Sequence, residues 1–258
     1  MEQLFKSKWD FYDLLLDLVP LEAKVKNCTR GPHWVAVESD QGGMGLAHCL
    51  PQSWPSTAPD GQSLAGKPLK EAAELVKSWD FVTASMGLAA VNAAANQRLM
   101  LRPDFSAGEK SPAGCAFDFF LDKVRGRKVA VVGHFPNLEK IAAACSLTIL
   151  ERNPQPGDLP DPAAEYILPE QGAVFLTGTT IINKTLPRLL ELSQGADIFL
   201  VGPSTPMFPE LFRYGLTSLS GTLVQSYPAM AQAVSEGLSE EIFQHGGLMI
   251  NLLKEGCQ

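Results

Sequence analysis

Cysteine is scarce and scattered in this 258-residue chain, at Cys28, Cys49, Cys115, Cys145 and Cys257. An odd, widely spaced set does not form a disulfide framework and reads as reduced thiols. The opening Met1-Glu2-Gln3-Leu4-Phe5-Lys6 lacks the basic start, apolar stretch and small-residue cleavage site of a secretory signal, so the cytoplasm is the expected location. Positive charge is short as well. Twenty-one Lys and Arg against 28 Asp and Glu leave a net −7, which argues against a general nucleic-acid binder and against docking on an anionic membrane. No apolar run is long enough to span a bilayer. Also missing are G-x-G-x-x-G, Walker A, C-x-x-C, H-E-x-x-H and G-x-S-x-G. Dinucleotide or ATP binding in the usual manner, a compact zinc centre and covalent serine hydrolysis are therefore disfavoured.

What is present is globular, with 45% hydrophobic and 19% charged residues. Apolar residues from Leu4 to Val19 recur at helical spacing, and Pro20 closes that helix. Three short apolar runs, Val25–Cys28, Trp34–Glu38 and Gly45–Leu50, are separated by turn chemistry and predict an antiparallel meander. A stripe from Leu69 to Trp79 and an Ala-rich stretch from Gly87 to Gln97 predict two helices. Residues 1–100 thus read as a small α+β domain, and residues 101–114, rich in Pro, Gly and Ser, as a linker. In 115–258, Lys128–Gly133, Leu147–Glu151, Ala173–Thr177, Ala196–Gly202 and, more weakly, Gly221–Gln225 are apolar, β-branched runs suited to parallel strands covered on both faces. Helical patterns lie between them, one of them short and starting near Pro206. The expected fold class is α/β, with a doubly wound, Rossmann-like sheet in the second domain.

Ligands of such a sheet bind beyond the carboxyl ends of its strands. Those ends carry Gly133-His134-Phe135-Pro136-Asn137, then Thr177-Gly178-Thr179-Thr180 with Asn183 and Thr185, then Gly202-Pro203-Ser204-Thr205-Pro206. Each loop alone reads as a tight turn; three on one edge point to a pocket. Thr205 before Pro206 has the form of a helix N-cap, and such starts can bind an anion or carboxylate. Glu151 falls 18 residues after Gly133, where a ribose-binding acid would sit, and reads equally as a surface acid at a strand end. His134 and Phe135 are too bulky for a pyrophosphate turn, although Phe135 and Glu151 suit a small heterocyclic ligand. His134 has the chemistry for proton transfer or metal binding, and also for loop packing. Cys28, His33, His48 and Cys49 are candidates to meet across the meander. Asn92 needs partners if buried, which a cleft between the domains would offer.

G-L-A-A-V-N (87–92), V-G-H-F-P (132–136), E-R-N-P-x-P-G-D-L-P-D (151–161), T-G-T-T-I-I-N-K-T-L (177–186) and G-P-S-T-P (202–206) occur in that order. Together they resemble the putative heavy-metal chelation family, over nearly the whole chain. The resemblance implies an enolase N-terminal-like domain followed by a Rossmann-like domain, with the site at their interface. Carried over by motif, the site residues are Asn92, His134, Phe135, Glu151, Thr179, Thr180, Asn183, Ser204 and Thr205. The expected partner is a small anionic or metal-chelating molecule. His134 stands as general acid/base if the protein is a transferase or lyase. A transition metal, held directly or through a bound chelator, is the implied cofactor, and a homodimer is the default assembly.

Overall fold

The structure, a computed structural model, describes residues 4–101 and 115–254. Residues 102–114, nearly all of the expected linker, lie outside the described residues, as does Cys257. Helix α1 (Asp10–Asp17) precedes an antiparallel sheet of β1 (Val25–Arg30), β2 (Trp34–Ser39) and β3 (Met44–His48), in the order β1-β2-β3. Helices α2 (Leu69–Glu74) and α3 (Phe81–Met100) follow. The Asp80 carboxylate caps α3 by accepting the Thr83 N–H at 2.8 Å. The helix is longer than its Ala-rich centre, because that cap opens it at Phe81.

The second part winds around a seven-stranded sheet. Its elements are α4 (Ala116–Phe119), α5 (Leu121–Val124), β4 (Lys128–Val132), α6 (Glu139–Ala144), β5 (Ser146–Glu151), β6 (Leu159–Pro160), α7 (Ala164–Ile167), β7 (Ala173–Thr177), α8 (Thr179–Ile182), α9 (Leu186–Leu192), β8 (Asp197–Val201), β9 (Leu216–Val224), α10 (Tyr227–Ser235) and β10 (Gly247–Leu253). The strand order is β10-β9-β8-β7-β4-β5-β6, parallel throughout except for β10, which runs antiparallel to β9. The α/β class and the doubly wound sheet are as the alternation of patterns predicts. The chain leaves β4 towards β5 and β6, then returns to place β7 on the other side of β4. That reversal opens a crevice above β4 and β7.

Three local expectations are corrected. Two strands, β6 and β10, were not anticipated: β6 is two residues ending in proline, and β10 begins on the second residue of a Gly-Gly pair. No helix starts at Pro206. Thr205 instead closes a turn onto the Gly202 carbonyl at 3.0 Å, and the chain runs on to bury Met207 and Phe208 before a 3₁₀ segment, Pro209–Tyr214. The Cys and His residues of the meander do not gather: among the described residues no three His, Cys, Asp or Glu side chains are placed to hold a metal ion.

One apolar core runs through both parts. It joins Phe11, Leu15, Leu88 and Val91 to Ala130, Leu176, Ile181 and Leu200 on one face of the large sheet. A second cluster, with Phe117, Phe120, Phe175 and Phe199, fills the other face. No helix among the described residues is long and apolar enough to cross a membrane.

Candidate functional site

A cavity of about 980 Å³ opens over the carboxyl ends of β4, β5, β7 and β8, walled on one side by Trp34 and His48 of the small sheet and by Leu50 just after it. Its floor follows from backbone geometry. Gly133 ends β4 at φ +105°, where a Cβ would come within 3.0 Å of Thr177, so only glycine turns the chain here. The Phe135 ring folds back over that turn and meets Phe117 edge-on, with centroids 5.1 Å apart.

His134 is held on the wall by two carboxylates. Its backbone N–H donates to Glu151 Oε2 at 2.9 Å, and its Nδ1 lies 2.8 Å from Asp158 Oδ2. The Asp158 side chain is only 3% exposed, and its Oδ2 also accepts the Gln155 N–H at 2.9 Å. With Nδ1 spent on the Asp158 carboxylate, Nε2 is the nitrogen left for a ligand. Glu151 is built into the loops: its other oxygen accepts the Asn153 N–H at 3.0 Å.

Of the nine expected residues, His134, Phe135, Glu151, Thr179, Thr180, Asn183 and Ser204 line the cavity. Several are already committed to shaping it. The Thr180 hydroxyl donates to the Thr177 carbonyl at 2.6 Å, and Asn183 Oδ1 accepts both the N–H and the hydroxyl of Thr185. Ser204 Oγ accepts the His48 N–H at 2.8 Å, tying the small sheet to the loop after β8. Asn92 and Thr205 do not line the cavity. Asn92 sits behind that loop, its amide donating to the Leu46 carbonyl at 2.7 Å and the Ser204 carbonyl at 3.1 Å.

Two wall residues, Arg152 and Lys184, were not anticipated, nor was Asp158 behind His134; His48, expected to meet the cysteines of the meander, instead lines the cavity. Burial, with a smaller effect of His33, holds the His48 imidazole below its usual pKa, and its Nδ1 is buried without a partner. Arg152 lies over the Phe81 ring at 5.1 Å, and among the described residues no carboxylate pairs with it. Lys184 takes φ +68°, and Asn137 takes +61°. Among the described residues these are the only non-glycine positions in the left-handed region, and both line this cavity. Such strain gathers at functional sites. Burial lowers the Lys184 ammonium to a pKa of about 8. Asp158 and Lys184 both lie inside motifs that mark the loops, which is the signal that could have found them.

Comparison with known proteins now adds a relationship. A family profile described as "Putative heavy-metal chelation" matches residues 115–252, and a second of the same description matches residues 12–95. The chain belongs to this family. Its fold matches a DUF364-family protein of unknown function from Desulfitobacterium hafniense DCB-2 with a TM-score of 0.87. Identity there is 38%, over 97% of this chain and 100% of that one. A second DUF364 protein of unknown function, from Pyrococcus horikoshii, shares the fold at 19% identity and TM-score 0.77, over 97% of this chain and 100% of that one. An uncharacterized protein of Methanocaldococcus jannaschii is 32% identical over 166 residues, and the match spans 61% of each chain. The metal named in the family description finds no protein cage here, since no three suitable side chains converge among the described residues.

Proposed function

We propose that this chelation-family protein binds a small organic anion with metal-chelating groups in the cavity between the small sheet and the carboxyl edge of the large one. The observation that carries the reading is the wall itself. His134, held by a buried Asp158, and Arg152, with no carboxylate partner among the described residues, line one cavity at the switch in strand order. Among the described residues no side-chain cage for bare metal is assembled, so a metal would enter with its organic ligand. Ser204 and Thr179 place hydroxyls on the wall for carboxylate oxygens.

One observation favours a second reading. An Asp–His pair facing a cavity is also the arrangement of a general acid/base, so His134 suits a transferase or lyase acting on the same class of molecule.

Native mass spectrometry of freshly purified protein, beside its denatured mass, tests the proposal. The expected result is a surplus the size of a small organic molecule, with or without a metal. A folded mass equal to the denatured mass, together with no thermal shift from a panel of polycarboxylate chelators, would overturn it. Turnover of a bound compound that stops in His134→Ala while binding persists would establish the enzyme reading.

A further inference from the structure

The family description names a metal, yet the described residues bring no three His, Cys, Asp or Glu side chains together to hold one. His134 offers a way to reconcile the two. Its ring has one nitrogen spent on Asp158 and the other unspent, and its side chain is 33% exposed at the cavity wall. A carboxylate behind a histidine is the arrangement that fixes tautomer and ring direction in metal-ligating histidines. One such donor cannot hold a bare ion against water. It can hold an ion whose other positions are already filled. The opposite requirement, neutralising a polycarboxylate shell, is met on the same wall by Arg152, which no carboxylate pairs among the described residues.

We infer that His134 Nε2 takes an open coordination position on a metal ion that arrives wrapped in a polycarboxylate chelator, with Asp158 as the positioning residue. The inference rests on the proposed reading of the cavity and narrows its ligand from an organic anion to a metal complex. Recognition then has two points, His134 on the metal and Arg152 on the shell. An empty chelator satisfies only the second.

The test uses nitrilotriacetate, which leaves positions open on Ni(II) or Cu(II), and the full chain carrying His33→Asn and His245→Asn to silence histidines outside the wall. Calorimetric titration is expected to show one Ni(II)–nitrilotriacetate per chain. His134→Ala should weaken this at least tenfold, whereas metal-free nitrilotriacetate should bind more weakly and be indifferent to that substitution. Asp158→Asn, checked for folding by circular dichroism, should weaken the complex about tenfold, the lower range for such outer partners. The Cu(II) complex should show coupling to one imidazole nitrogen in its electron paramagnetic resonance spectrum, present in Asp158→Asn and absent in His134→Ala. Equal affinity of the metal complex for His134→Ala and its parent would overturn the inference and leave the cavity reading standing. If neither form of nitrilotriacetate binds and native mass spectrometry finds no organic surplus, both fall.

Discussion

At Lys184 the backbone and the ammonium are both held away from their preferred states. The backbone is left-handed, a conformation that costs a residue with a Cβ about 1 kcal/mol or more. The ammonium donates to the Ile182 carbonyl at 2.6 Å and lies within 6 Å of the Tyr12 and Trp79 rings, yet desolvation prevails and lowers its pKa to about 8. The sign of the consequence follows from proton counting. Between about pH 8 and the ordinary lysine value near 10.5, the unfolded chain binds more protons than the folded one, so this residue's contribution to stability rises with pH. Lys184→Met removes that dependence. Urea melts at pH 7.5, 8.5 and 9.5 should therefore show wild type gaining on the variant at each step, and parallel curves would sink the argument. Such a residue is hard to see in the sequence. Its environment is made by Tyr12 and Trp79, more than a hundred positions away, and no local pattern announces them. The same holds for Asp158, whose meaning depends on His134 lying 24 residues upstream. The Gly, Ser, Thr and Pro turns were legible because they obey local backbone rules.

Helix α3 shows what an element adds. Asn92 and Asn96, one turn apart, each donate twice: Asn92 to the Leu46 and Ser204 carbonyls, Asn96 to the Met44 and Thr222 carbonyls. Each pair of bonds joins β3 to the second part of the chain through one helix. Alanine at either position leaves two buried carbonyls short of a donor, a loss of about 2 kcal/mol. Only the Asn92 bridge ends on a cavity loop. Asn92→Ala should therefore weaken binding of a cavity ligand such as Ni(II)–nitrilotriacetate, while Asn96→Ala should lower the urea midpoint similarly and leave that affinity unchanged. Equal effects on affinity would remove Asn92 from the positioning of the loop. Gly87 makes the close packing of α3 possible, since a Cβ there would lie 2.0 Å from the Val76 nitrogen. Gly87→Ala is expected to cost about 3 kcal/mol, read as a lowered Tm. The sequence showed that a buried amide at Asn92 needs partners, but not that they would be backbone carbonyls from two sheets. Strand β9 was half legible for a related reason. Its Ser, Thr and Gly residues are buried along the whole strand, and burial of that kind depends on neighbours rather than on hydropathy.

For the molecule as a whole, α3 decides how the two parts are coupled. A surface helix buries one stripe, but α3 is buried around its circumference from Thr83 to Asn96. On one side it packs against β2 and β3, and towards the second part it meets α8, the Ser204 loop and β9. Removing the large sheet would expose Leu88, Val91 and their neighbours together with the unsatisfied amides of Asn92 and Asn96. The small sheet has three strands and only short helices besides α3, too little to absorb that loss. The sequence reads as two domains joined by a linker, and its composition does change style where expected. Composition does not report whether a core stops at the boundary, and here the core continues across it. We therefore expect one calorimetric unfolding transition, with calorimetric and van't Hoff enthalpies in agreement. A fragment of residues 1–101 should show no cooperative melt alone and should regain one when mixed with residues 102–258. Two resolved transitions in the intact chain, or a cooperative melt of the isolated fragment, would mean that α3 stabilises the small sheet without its partner. The cavity would then lie between units able to separate, and ligand affinity would depend on their closure rather than on a preformed wall.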